Sequence, residues 1–161
     1  MLSLPTPDSS GLTRAWQTVD IDLGPGEAQE VDLVEPAITG LTEMGLPMTS
    51  RVRCLGINEQ TAQKLHACTG PQRDPRARDV LDILLVAKLG RLDYVRARAA
   101  AERIFTERAT HPFPPDPSLP AEWRRELENL AQELGYATAN AEEIEAKFAV
   151  VVQAIAAASA D

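Results

Sequence analysis

The sequence predicts an α+β fold, in which a short mixed or antiparallel sheet packs on a mainly helical part. Alternating apolar and polar residues, many of them β-branched, predict strands at 16–23, 31–34 and 51–55. From residue 57 onward, apolar residues recur at helical spacing and alanine is abundant. We therefore predict a flexible N-terminus at 1–15, a sheet region at 16–56 and a helical domain at 57–161.

Glycine, proline and capping residues predict where the helices begin and end. Asn58 can cap the first helix, and Gly70-Pro71 can end it. Five prolines between 112 and 120 exclude a helix there. The predicted helices run from Asn58 to about Thr69, from about Arg76 to Leu89, over 92–108, from Pro120 to about Leu134, and over 140–158. Three short strands are too few to cover so many helices, so we expect the strands to belong to a larger sheet.

Composition excludes several classes of function. The net charge of −8 argues against a general nucleic-acid coat or a basic membrane surface. Two cysteines and two histidines make neither a disulfide framework nor a structural zinc site. No apolar run is long enough to span a membrane, and no signal peptide is recognisable, so we expect a cytoplasmic protein.

Positive charge is concentrated in one block of this acidic chain. Between residues 51 and 78 there are six basic and two acidic side chains, whereas residues 1–50 hold eight acidic side chains and one basic. The block overlaps two short segments with charged groups beside an apolar helical face, 59–67 and 76–82. Either the block belongs to a site formed by these two segments, or it is a solvated surface on which charges cluster by chance.

Within these segments, spacing identifies candidate site residues. Asp79 and Asp82 are three apart and share a helix face, and Arg78 can pair with Asp82. They form either a carboxylate cluster at a nucleotide site or an ordinary surface ion pair. Lys64 can reach a phosphate as a point charge or lay its stem along a buried face. His66 can titrate near neutral pH or simply pack.

A second acidic pair lies near the N-terminus. Asp20 and Asp22 are two apart on a predicted strand, so both face the same side. Carboxylate oxygens in this arrangement are suited to Mg²⁺, and the pair is the candidate metal site. Acidic pairs also occur on solvent-facing strand ends, which is the competing interpretation.

Several segments, taken in order, resemble a known family. They are VDIDLG (19–24), VRCL (52–55), EQTAQKLHA (59–67), RARDVLD (76–82), IFTERATHPFP (104–114) and AEW (121–123). This series resembles the C-terminal portion of AbiEii/AbiGii-type nucleotidyltransferase toxins, over about residues 16–135. The resemblance implies a partial nucleotidyltransferase-like fold that uses an NTP and Mg²⁺, with a cognate antitoxin as partner and tRNA as a possible acceptor.

The resemblance also implies roles for individual residues. Lys64 matches the family's lysine, Asp79 and Asp82 match the acids of its last motif, and we expect these three to be catalytic. Arg76 matches the arginine that leads that motif, and with Arg78 and His66 it forms the expected substrate-binding set. Asp20 matches an acid on the strand after the first motif.

Three departures from the family pattern qualify this expectation. Gln63 stands where the family has glutamate, and Arg78 stands where it has lysine. Residues 1–15 contain nothing like the family's first motif, a Gly-Ser or Gly-Gly turn followed by a metal-holding D-x-D strand. We therefore expect a truncated homologue with little or no activity alone.

Two alternatives stay open at this point. The chain can be a binding or regulatory module that forms a homodimer, or that pairs with a chain carrying the missing motif. It can also be a complete small enzyme that uses Asp20, Asp22 and Asp79 in a rearranged site.

Overall fold

A computed structural model describes residues 2–7, 13–19, 30–35, 43, 45, 51–71, 76–136 and 140–159. It confirms the α+β class, with the strands before the helices. The strands are β1 Leu2–Pro7, β2 Thr13–Val19, β3 Val31–Val34 and β4 Val52–Leu55. The helices are α1 Ile57–Thr69, α2 Ala77–Lys88, α3 Tyr94–Arg108, α4 Arg124–Glu133 and α5 Ala141–Ala157, with a 3₁₀ turn, Ala121–Trp123, before α4.

The N-terminal segment forms a hairpin where a flexible region was expected over 1–15. The backbone of β1 pairs antiparallel with β2, from Leu2 opposite Val19 to Pro7 opposite Thr13. The register shifts between Leu4 and Pro5. Proline cannot donate to a ladder, and a shift at an edge strand is the usual way in which a sheet accommodates it. The prolines therefore obscured this strand in the sequence.

A second antiparallel pair, β3 with β4, leads directly into the helices. Val31 lies opposite Leu55, and Val34 lies opposite Val52. Just before β3, the carbonyl of Glu30 accepts a hydrogen bond from the amide of Gly56 at 3.0 Å. The Glu30 carboxylate also pairs with Arg96 of α3 at 3.1 Å. The end of this sheet is thus tied to the starts of α1 and α3.

Most helix boundaries agree with the sequence prediction. Gly90 and Gly135 follow α2 and α4 in the left-handed region that closes a helix without strain in glycine. The Asn58 cap was wrong, because Gly56 occupies the N-cap of α1 and Asn58 lies inside the helix. Its side chain instead accepts a hydrogen bond from the amide of Asp93 at 3.1 Å, and Asp93 caps α3.

One apolar core joins all five helices. α1 packs on α2 and α3, while α2, α3 and α4 each pack on α5. The largest fully buried side chains of this core are Trp123, Phe148, Leu65, Leu81, Ile83, Ile104, Leu127, Ile144 and Ile155. In the described ranges, no helix is long and apolar enough to cross a membrane.

A buried ion pair locks α1 against α3. Arg103 donates to both carboxylate oxygens of Glu59, at 2.8 Å and 2.5 Å. The Glu59 side chain is only 4% exposed, so its charge depends on this partner. Arg103 also pairs with Glu107 one turn further along α3, at 3.1 Å. The ion pair therefore fixes how α1 is rotated about its axis relative to α3.

Candidate functional site

Lys64 joins the two predicted motifs in space. Its ammonium lies 2.7 Å from a carboxylate oxygen of Asp79 and 2.8 Å from one of Asp82. Arg76 approaches the other oxygen of Asp79 at 3.7 Å. The structure thus brings together four of the predicted residues, Lys64, Arg76, Asp79 and Asp82. Because Asp79 and Asp82 are one turn apart on α2, a single cation on α1 can reach both.

Local structure explains why these side chains meet. The Asp79 amide bonds to the carbonyl of Arg76 at 3.0 Å, which places Asp79 in the first turn of α2, where the helix dipole favours a carboxylate. On α1, Gln60 lies one turn before Lys64 and donates to the carbonyl of Leu55 at 2.6 Å. The end of β4 is thereby anchored beside the site.

A cleft of about 460 Å³ opens beside Lys64. We call it the Lys64 cleft; its polar lining is Gln60, Gln63, Lys64, Arg76, Asp79 and Arg108, and Leu55 and Ala67 complete it. Among these described lining residues, three cations face a single carboxylate. Asp82 also contacts Lys64, so three cations and two carboxylates meet here and the net charge is +1, which in a chain of net charge −8 favours an anionic ligand.

Lys64 also borders a smaller and more apolar cleft. This second cleft, of about 230 Å³, lies on the side of Asp82 and is lined by Ile57, Thr61, Leu85, Val86 and Leu89. Lys64 therefore stands between a charged space and an apolar one.

Lys64 is protonated at neutral pH. Partial burial by itself lowers the pKa of Lys64, but hydrogen bonds and charges from Asp79 and Asp82 outweigh burial and raise the pKa above 10.5. A lysine held protonated in this way can stabilise negative charge, and it cannot serve as a general base near pH 7.

His66 lies in a different environment. It is buried, and its Nε2 contacts the Thr110 hydroxyl at 3.0 Å. Thr110 contacts Nδ1 of His111 at 2.9 Å, and Nε2 of His111 contacts the Thr69 hydroxyl at 3.0 Å. The rings of His66 and His111 also pack on Phe105, with centroids 4.9 Å and 4.7 Å from it. We call His66, Thr69, Thr110 and His111 the histidine network.

Donor and acceptor counting fixes one proton in this network, the proton on Nε2 of His111. Thr69 uses its single hydroxyl proton to donate to the carbonyl of Leu65 at 2.7 Å, so it must accept from Nε2–H of His111. When His111 is neutral, its Nδ1 accepts from the Thr110 hydroxyl, which in turn accepts from Nε2–H of His66.

We call Lys64, Arg76, Asp79 and Asp82 the Lys64 cluster. The remaining candidate residues do not belong to it. Arg78 is exposed, and within the described part of the chain no ion pair links it to Asp82, whose carboxylate contacts Lys64. Asp20 and Asp22 lie outside the described residues. Arg108 was missed by the sequence analysis. Its segment, 104–114, belongs to the family series, but no spacing rule connects the end of one helix to a lysine 44 positions earlier.

The described residues do not fit a resident divalent cation. Across these ranges no group of three or more histidine, cysteine, aspartate or glutamate side chains converges on one point. Asp79 and Asp82 each give an oxygen to Lys64, and Arg76 lies 3.7 Å from the other oxygen of Asp79, so two cations already face the two carboxylates. A metal ion bound there would have to displace the lysine.

Comparison with known proteins assigns the chain to a family. A cation-lined cleft behind a lysine–aspartate cluster is the kind of site that binds phosphates. The family model for the nucleotidyl transferase AbiEii toxin of a type IV toxin–antitoxin system matches residues 8–153. This match covers most of the sequence, and the chain belongs to that family, which confirms the resemblance. A search of curated proteins found no match.

The first prediction concerns the Lys64 cluster. Lys64→Met should lower the free energy of unfolding by on the order of 2 kcal/mol, because it leaves Asp79 and Asp82 without their shared cation. Adding Asp79→Asn should cost less than it does in the wild type, since one of the two carboxylates is then neutral. Urea denaturation of the four proteins in the cycle measures this coupling. Simple additivity would contradict the geometry, and Lys88→Met on exposed α2 surface is the control.

The second prediction concerns pH. Burial lowers the pKa of His111 below its usual 6.5, so the folded state binds fewer protons than the unfolded state. The stability that comes from neutral His111 is fully present above pH 6.5, and it is lost as the pH falls below 6.5 and through the lower pKa of the folded state. His111→Asn should therefore lose less thermal stability than the wild type between about pH 7.5 and about pH 5. Parallel curves for the two proteins would refute this.

Proposed function

We propose that the Lys64 cleft binds the phosphates of a nucleoside triphosphate, as the substrate wall of a nucleotidyltransferase toxin. The observation that carries the proposal is Lys64, held protonated between Asp79 and Asp82 at the edge of a cleft lined by two arginines. Membership in a nucleotidyl transferase toxin family supports it. Lys64, Asp79 and Asp82 are the proposed catalytic group, with Arg76 as a substrate-binding residue.

The chemistry of the cleft fits phosphates better than other ligands. Arginine presents several N–H groups in a planar fork that matches phosphate oxygens, and lysine adds a compact charge. Asp79 and Asp82 hold the lysine in place, so that its ammonium is oriented before the ligand arrives. The apolar cleft on the other side of Lys64 offers room for an uncharged part of the nucleotide.

The proposal extends to the acceptor, the partner and the location. The family description names a type IV toxin–antitoxin system, so a cognate antitoxin is the expected protein partner. We include tRNA as the acceptor and the cytoplasm as the location. Both Cys54 and Cys68 are free, which is in keeping with a reducing compartment.

We further propose that this 161-residue chain transfers little or no nucleotide by itself. Nucleotidyl transfer that depends on Mg²⁺ needs carboxylates to hold the metal against the triphosphate. The carboxylates of Asp79 and Asp82 instead form ion pairs with Lys64. Residues 1–15 contain no Gly-Ser or Gly-Gly turn like that of the first family motif. We therefore expect the chain to bind an NTP without transferring its nucleotide.

The third prediction tests both parts in one assay with labelled NTPs, Mg²⁺ and tRNA. The chain should retain NTP, and Arg76→Ala should weaken retention on the order of tenfold, because a charged contact to phosphate is lost. The control is Arg125→Ala, a change at an exposed arginine on α4. No label should pass to tRNA.

Two results would overturn these proposals. If the wild type retains no NTP, the proposal that the Lys64 cleft binds a nucleotide is wrong. Robust label transfer that disappears in Asp79→Ala would instead show a complete enzyme, the rearranged site that combines Asp79 with Asp20 and Asp22.

A second candidate function is self-association through the sheet of β3 and β4. Four apolar side chains of these strands are exposed: Val31, Leu33, Val34 and Val52. In the ranges that the structure describes, neither strand pairs with a third. Unpaired edges with apolar side chains commonly accept a strand from another chain, and a homodimer is the simplest case.

The fourth prediction follows from this surface. Size-exclusion chromatography with light scattering should give a dimer at high concentration, and Leu33→Lys should shift it to monomer, since charge on an edge strand opposes pairing. The matched control is Val150→Lys, which adds the same charge at an exposed apolar position on α5. A monomeric wild type would exclude this second function.

A further inference from the structure

Arg108, from the middle of the helical part of the chain, is the third cation that lines the Lys64 cleft. It is the last residue of α3, and it lines the cleft together with Lys64 of α1 and Arg76 at the start of α2. Three consecutive helices thus each contribute one cation to the same space. Such convergence on a cleft in an acidic chain calls for an explanation by ligand binding.

Arg108 is needed because most N–H donors of Lys64 are already bound to Asp79 and Asp82. An ammonium has three N–H donors, and Lys64 uses one on Asp79 and one on Asp82. A single donor is left for a ligand, whereas a triphosphate presents many acceptor oxygens. The two arginine side chains that line the cleft supply further N–H donors, and their planar forks match phosphate oxygens.

The chain around Arg108 holds it at the cleft. Ala109 adopts a left-handed conformation, with φ of 48°, and its amide donates to the carbonyl of Phe105, so α3 ends directly after Arg108. The next two residues, Thr110 and His111, belong to the histidine network and are tied to α1. Arg108 is thus placed between the buried Phe105 and a hydrogen-bonded turn.

We propose that Arg108 is a phosphate-binding residue of the Lys64 cleft, together with Arg76, and that Thr110 is a positioning residue for it through the histidine network. The inference rests on the proposed function, which supplies the nucleoside triphosphate. This inference also gives a role to segment 104–114, which is part of the family series. The first part of the segment ends α3 at the cleft, and Thr110 and His111 bind that end of α3 to α1.

The fifth prediction uses inorganic tripolyphosphate and an NTP as probes in equilibrium binding. Arg108→Ala should weaken both on the order of tenfold or more, because contacts between charged groups are lost. Arg108→Lys should fall between, since it keeps the charge and loses the fork. Arg125→Ala should bind as the wild type does.

Thr110→Val tests positioning. It removes the hydroxyl and keeps the shape, so it should weaken binding several-fold in the wild type. It should cause no further loss in Arg108→Ala, whereas a merely structural defect would lower affinity in both backgrounds.

The outcomes separate the inference from the function it rests on. NTP binding that depends on Arg76 and is unchanged in Arg108→Ala overturns the role of Arg108 and leaves the proposed function standing. A wild type that binds neither probe overturns both. Equal losses from Thr110→Val in the two backgrounds overturn the positioning role alone.

Discussion

The ion pair between Glu59 and Arg103 is the constraint on which the site depends. With Glu59 almost fully buried, loss of Arg103 would leave an uncompensated charge inside the protein. The pair fixes how α1 is rotated against α3. Lys64 lies five residues after Glu59, and Arg108 lies five residues after Arg103. A rotation of either helix would move one of these cations out of the cleft.

The same helix, α1, has a different partner along each part of its length. Its first turn holds β4 through Gln60, its middle holds α2 through Lys64, and its last turns hold the 110–111 turn through His66 and Thr69. Because the polar contacts differ, no single rotation or slide satisfies them in another register. The apolar core beneath supplies most of the stability, and the polar contacts select one arrangement.

Sequence reasoning recovered the parts of this structure that depend on short-range rules. Glycines and prolines located the helix ends, and one-turn spacing placed Asp79 and Asp82 on one face. It failed where a side chain serves a distant partner. Asn58 has the chemistry of a cap, yet its side chain meets Asp93, 35 residues away. Arg108 and the surroundings of His66 depend likewise on how α3 packs on α1, which no local pattern encodes.

The helices that build the cleft follow one another directly in the chain, which has a consequence for how the site forms. The contacts that join α1 to α2, to α3 and to the turn after α3 span 15 to 44 residues, and they lie between residues 58 and 111. Closing loops of this length costs little chain entropy, and helical units with near neighbours in sequence fold fast. The contacts among α1, α2 and α3 can therefore form during synthesis once the turn at 110–111 has emerged, and the packing of α4 and α5 then completes the core around them.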